Sequence, residues 1–108
     1  MSDLPDVIVT YQTAHDLRDA STALASFTDD AVVEDDGETY RGRDEVERWL
    51  NTAASEFTYT RTLLSAEQTD DGWLVTNHLE GDFPGGQVDL RYAFKLDGTR
   101  IKRLIIAP

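Results

Sequence analysis

Apolar positions recur at helical spacing in the first half of the chain and at strand spacing in the second. Leu4, Val7, Ile8, Tyr11 and Ala14, with His15, fall at i, i+3, i+4 and i+7 positions, the stripe of an amphipathic helix. The spacing predicts a helix from about Pro5 to Leu17, with Asp3 as N-cap and Pro5 in its first turn. Tyr11 lies in its middle, on the apolar face. Asp19 can cap a second, short helix over about Ala20 to Phe27, buried through Ala20, Ala23, Leu24 and Phe27. Val46, Trp49, Leu50 and Ala53 predict a third, from about Asp44 to Ser55, with Asp44 and Glu45 where negative charge favours a helix start.

Between the second and third helices, Ala31 to Gly37 reads as a short strand and a turn. Asp36-Gly37 reverses the chain, and Glu38-Thr39-Tyr40 pairs back as a small hairpin. After Phe57 the pattern is all strand. Thr58 to Gln68 is rich in Thr, Tyr and Leu. Trp73, Val75, Asn77, Leu79 and Phe83 share one face of the next strand, and Val88, Leu90, Tyr92, Phe94 and Leu96 alternate along a third. Arg100 to Ala107 forms the last. Pro84-Gly85-Gly86 and Asp97-Gly98 break the chain between them. The facing of 58–68 and 100–107 stays open. Helices first and long antiparallel strands afterwards predict an α+β fold, helices covering one face of a curved sheet and enclosing a cavity.

A length of 108 residues fits a single domain, 1–108, and a 40% hydrophobic content supplies a core. The absence of Cys excludes disulfides, thiolate catalysis and zinc–thiolate sites. No apolar run approaches the roughly 18 residues of a membrane span. Asp3 and Asp6 in place of a basic n-region argue against a signal peptide, so a cytoplasmic location is expected. A net charge of -11 repels a phosphate backbone and argues against nucleic-acid binding.

Strand alternation sets the candidate chemistry. If Ala31 and Val33 face inward, so does Asp35, and an inward carboxylate is costly unless paired, hydrated or used. Tyr11 points into the same cup. A carboxylate that takes a proton and a hydroxyl that stabilises the resulting enolate are the minimum for proton transfer beside a carbonyl. Trp49 reads as core or pocket wall; with Val33, Trp73, Phe83 and Phe94 it makes up the expected pocket lining. The Gly81 to Gly86 loop is expected at the pocket rim. His15, at the end of the first helix, reads as a dipole cap or a solvated side chain, and His78 as a surface or interface residue. Two separated His without Cys imply no metal site, and no cofactor is expected.

The runs Val9-Thr10-Tyr11 and Leu24 to Asp35, which contains F-x-D-D-A-x-V-E-D, resemble the nuclear transport factor 2-like superfamily, in particular its ketosteroid isomerase and SnoaL-like polyketide cyclase branches. Gly42 before the third helix and the strands bearing Phe94 and Ile101 match as well. The resemblance spans nearly the whole chain. It implies a cone-shaped, cystatin-like roll with a mainly antiparallel sheet. It places the isomerase's helix-1 tyrosine at Tyr11, sixteen residues before Phe27, and its base at Asp35. The isomerase's third group, a protonated acid, falls at Tyr92, which still donates a hydrogen bond but is not the isomerase's residue.

The expectation that follows is a cofactor-independent protein that binds a small hydrophobic, carbonyl-bearing molecule (polyketide- or steroid-like). It would act as an isomerase or cyclase through Asp35, Tyr11 and Tyr92. The alternatives are a non-catalytic ligand-binding or scaffold domain, and hydrolase or dehydratase chemistry on the same fold. The resembled family commonly forms homodimers. The sheet's other face, with Leu74, Thr76, His78, Glu80 and Asp82 beside Gln87, Asp89, Arg91, Ala93 and Lys95, is the expected two-fold interface, Asp89 and Arg91 pairing across it.

Overall fold

The sequence folds with its helices against one face of one sheet. The computed structural model describes residues 4–52 and 57–108; Asp3, Ala53 and Ser55 lie outside the described residues. Among these are three helices, α1 (Asp6–Asp16), α2 (Ala20–Ala25) and α3 (Gly42–Asn51), and six strands, β1 (Phe27–Asp35), β2 (Glu38–Arg41), β3 (Tyr59–Gln68), β4 (Gly72–Gly81), β5 (Gln87–Asp97) and β6 (Arg100–Ala107). The strands form one sheet in the order β2-β1-β6-β5-β4-β3. Every pairing is antiparallel except that of β1 with β6, which is parallel. The small hairpin is therefore one edge of the same sheet. Among the described residues no helix is long and apolar enough to cross a membrane.

Local chemistry sets the element ends. α1 stops in a Schellman arrangement: Arg18 N–H donates to the His15 carbonyl at 3.1 Å and Asp19 N–H to that of Ala14 at 2.8 Å. Arg18 takes the left-handed position, with φ 60°. Asp19 caps α2 as expected, accepting from Thr22 N–H at 3.2 Å. That helix ends at Ala25 rather than Phe27, because the Ser26 carbonyl accepts from Ile101 N–H at 2.8 Å and Phe27 opens β1 opposite Ile101. Phe27 still reaches the core, from a strand instead of a helix. Asp36 and Gly37, with φ of 53° and 78°, form the tight turn into β2. α3 starts at Gly42, two residues before the expected Asp44; Glu45 reaches back to accept from Arg41 N–H at 2.9 Å.

Phe83 and Asp82 lie past the end of β4, in the loop to β5, because the strand ends at Gly81. Two register shifts determine the facings that alternation left open. Leu64 is the extra residue between the Leu63–Asn77 and Ser65–Thr76 pairs. Lys102 is extra between Leu96–Ile101 and Lys95–Arg103. Each bulge flips the alternation once. Tyr59 and Arg61 therefore share a face with Ala66, and Ile101 with Leu104 and Ile106.

The core lies between the helices and this inward face. Ile8, Tyr11, Leu24, Val46 and Trp49 meet Val33, Val75, Phe94, Ile101 and Leu104. Burying such side chains contributes about 1.5–3 kcal/mol each. The helices pack one end of the cone shut. At the other end β1 finishes at Asp35, β5 starts and β6 finishes, and there the inward rows line a cavity.

Candidate functional site

Asp35 sits one pleat beyond the fully buried Val33, where the core gives way to the cavity. Trp49, projecting from the buried stripe of α3, donates its Nε1–H to Asp35 Oδ2 at 3.0 Å. Loss of hydration raises the Asp35 carboxyl above its ordinary 3.8; the Trp49 bond pulls it down, and Asp36 adds a smaller upward push.

Two connected spaces meet at this carboxylate. The outer one, about 550 Å³, is a mouth walled by Phe57, Phe83, Pro84 and Val88. The inner one, about 120 Å³, is a recess walled by His15, Trp49, Tyr59 and Tyr92. Asp35, Tyr59, Leu79, Leu90 and Ile106 border both. The outer volume is of the size that takes a drug-sized apolar molecule, and the polar groups converge at its inner end. The Gly81 to Gly86 loop brings Phe83 and Pro84 to the mouth, where Phe83 packs edge-on against Phe57 at 6.1 Å.

The residues expected from the sequence separate into three groups. Asp35, Tyr92, Trp49 and Phe83 stand on the walls. Burial pushes the Tyr92 hydroxyl well above its usual range, so it remains a donor at neutral pH. Tyr11 is behind the recess: its ring packs edge-on against Phe27 at 5.3 Å and Phe94 at 5.9 Å, and its buried hydroxyl has no hydrogen-bond partner among the described residues. Desolvation, with Tyr92, Tyr59 and Asp35 nearby, drives its pKa upward as well.

Val33, Trp73 and Phe94 do not line the cavity. Val33 and Phe94 lie deeper along their strands than Asp35 and Tyr92 and are core residues, and Trp73 packs against that core.

His15 stands in the last turn of α1, as expected, and its half-buried ring turns towards the recess. It follows Tyr11 by one helical turn and so shares its inward face. Its ring is near-parallel to those of Tyr11 (5.9 Å, 18°) and Trp49 (6.3 Å, 6°), and its Nδ1 lies 2.8 Å from the Tyr59 hydroxyl. Burial pushes the Tyr59 hydroxyl up to about 12, with Asp16 adding to the shift and Arg18 opposing it. The i to i+4 spacing of Tyr11 and His15 was the available signal for His15. Tyr59 carried none, because the Leu64 bulge hides the facing of its strand. One pleat along, Arg61 spans from β3 to α1, pairing with Asp16 at 2.8 Å and donating to Gln12 Oε1 at 3.2 Å. His78 lies on the opposite sheet face, bonded to Asp89 at 2.6 Å and Glu80 at 2.9 Å.

Comparison with known proteins agrees with this architecture. The family model of the SnoaL-like domain matches residues 8–103. A protein from Sinorhizobium meliloti, provisionally named a polyketide cyclase, superposes with a TM-score of 0.90 at 35% identity, over 97% of this chain and 96% of its own. A Catenulispora acidiphila protein of ketosteroid isomerase-like fold, in complex with trimethylamine, gives 0.84 at 16% identity, over 97% and 86%. A Mycobacterium tuberculosis protein in complex with estradiol-17beta-hemisuccinate gives 0.78 at 17%, over 94% and 90%. No curated protein matches the sequence. With the cone of three helices on a six-stranded sheet, and a match running from α1 into β6, the chain belongs to the SnoaL-like domain family.

Proposed function

We propose that the protein binds a small hydrophobic carbonyl compound, polyketide- or steroid-like, and moves a proton next to its carbonyl with Asp35 as general base. The observation that carries this is the position of Asp35: a partly desolvated carboxylate where an apolar mouth meets a recess walled by hydroxyl-bearing rings. The ligand's apolar body lies in the mouth and its carbonyl end enters the recess. Asp35 takes a proton from the carbon beside the carbonyl, and that C–H electron pair becomes the enolate. Tyr92 donates a hydrogen bond to the enolate oxygen, and Tyr11 supports it from behind. Returning the proton at another carbon gives an isomerase; attack of the enolate carbon on a second carbonyl forms a C–C bond, opens that C=O to an alkoxide, and the alkoxide takes the proton back from Asp35, which gives a cyclase. The provisional name of the Sinorhizobium protein and the steroid derivative bound by the Mycobacterium protein support this ligand class. The working unit is a homodimer.

A second reading, a non-catalytic ligand-binding domain, draws on the Trp49 bond, which already satisfies one oxygen of Asp35. One experiment separates the two. A panel of steroidal and bicyclic ketones is screened by thermal shift, and each ligand that binds is incubated in deuterated water with native protein and with Asp35→Asn. Deuterium entering beside the carbonyl with native protein, and not with the variant that still binds, is the expected result. Binding without exchange leaves the second reading. Equal exchange by Asp35→Asn overturns the base, and no shift with any ketone overturns the ligand class.

A further inference from the structure

We propose that Tyr59, positioned by His15, is a second hydrogen-bond donor to the ligand oxygen in the recess. This rests on the reading that a carbonyl oxygen enters there. The two side chains come from opposite layers, the helix α1 and the strand β3, and meet at 2.8 Å on the recess wall. A phenol has one proton and two lone pairs. When His15 Nδ1 carries hydrogen and donates to the Tyr59 oxygen, the phenolic proton is released from that contact and directed at a ligand. A hydroxyl that accepts a hydrogen bond is also a stronger donor, because linked bonds polarise one another. Tyr59 stays protonated at neutral pH, so it acts as donor and not as base.

The surroundings hold this pair in place. The Arg18 guanidinium lies 5.9 Å from the centre of the Tyr59 ring and donates to the Phe57 carbonyl. Across the ladder, Gly81 faces Tyr59, and a Cβ there would stand 2.6 Å from the Tyr59 Cβ. His15 is ordered by the near-parallel rings of Tyr11 and Trp49 and by the Schellman turn that uses its carbonyl. With Tyr92 on the neighbouring wall, two donors face the same small space as Asp35. In this arrangement Tyr59 touches the ligand, and His15 acts through Tyr59.

The test uses 2-naphthol, whose oxygen mimics an enolate when ionised and whose ionised form has its own absorption band. Binding is measured in the Asp35→Asn background, so that the outcome does not depend on the base. Tyr59→Phe, and His15→Phe, which keeps a ring beside Trp49, should each weaken binding about 10- to 100-fold and lower the ionised fraction of bound 2-naphthol. His15→Asn, which returns a polar group near the place of Nδ1, should restore most of both. Thermal melts accompany every variant. If Tyr59→Phe binds 2-naphthol with unchanged affinity and ionisation, Tyr59 is not a donor. If His15→Phe lowers only the melting temperature, His15 does not position it. If Tyr11→Phe alone removes the ionised form, the donor is Tyr11 and the proposal falls. Loss of ketone exchange in Asp35→Asn bears on the base alone.

Discussion

At the scale of single residues, the site is a set of polar groups held where water is scarce, and this has a cost that can be measured. Asp35 is raised above 3.8 chiefly by desolvation, so the folded protein holds this proton more tightly than the unfolded chain does. Stability from that source is fully present below the unfolded value and is lost as pH rises through the raised folded value. Asn at position 35 does not titrate. Asp35→Asn should therefore melt higher than the native protein at neutral pH, the gap closing as pH is lowered towards 3.8; a gap that stays constant across this range would contradict the desolvation account. Tyr11 offers a second case. Its buried hydroxyl has no partner among the described residues, and a polar group left in that state costs roughly 1–3 kcal/mol. Tyr11→Phe should raise unfolding stability by about 1 kcal/mol in urea titration while removing the proposed support for the ligand oxygen, a trade of function for stability. Asp35 was legible from the sequence because Ala31 and Val33 fix the parity of its strand. His15 was legible only in principle: its spacing from Tyr11 pointed inward, but its place at a helix end suggested a cap.

Elements show where sequence patterns hold and where they fail. α1 and α3 follow their apolar stripes, and β4 and β5 follow strict alternation, because in each a single periodicity runs from end to end. β3 and β6 do not. One extra residue in each, Leu64 and Lys102, reverses the facing partway, and no local composition marks such a bulge. Phe27 was misplaced because a large apolar residue after a helical stripe satisfies the core equally well from a strand. The parallel pairing of β1 and β6 joins segments about seventy residues apart, which periodicity does not encode. The pairing of β3 with β4 carries a prediction of its own. Gly81 is needed for close approach: an added Cβ would lie 2.2 Å from the Thr58 carbonyl oxygen and 2.6 Å from the Tyr59 Cβ. Backbone atoms cannot swing aside as a side-chain tip can. Gly81→Ala should cost about 1–3 kcal/mol and move Tyr59 off the recess. Unfolding together with the chemical shifts of the Tyr59 ring will report both effects; a variant with native stability and unchanged shifts would mean that the strands separate there without penalty.

For the whole molecule, the proposed homodimer would form through the face of the sheet away from the helices. Leu74, Ala93 and Ile105 are register neighbours across β4, β5 and β6, and all three are partly exposed. Around this apolar row the charges are engaged within the chain: His78 with Asp89 and Glu80, Arg103 with Glu34, and Arg91 with the Pro108 carbonyl at 3.1 Å. Asp89 and Arg91 thus have partners within the chain, His78 and the Pro108 carbonyl. An apolar centre with a polar rim is how protein interfaces are commonly built, and a row that can meet its own copy suits a two-fold axis. The opposing force is long-range. Each chain carries a formal charge of -11, and two such bodies repel across a screening length of about 30 Å at about 0.01 M salt but only about 8 Å at about 0.15 M. The homodimer should therefore tighten as salt is added, while Leu74→Glu, which sets a carboxylate into the row, should dissociate it. Sedimentation of micromolar protein at the two salt concentrations measures the effect. Monomers at both would show that this sheet face has no self-partner, and a dimer that weakens with salt would place the contact on charges instead of on the Leu74, Ala93 and Ile105 row.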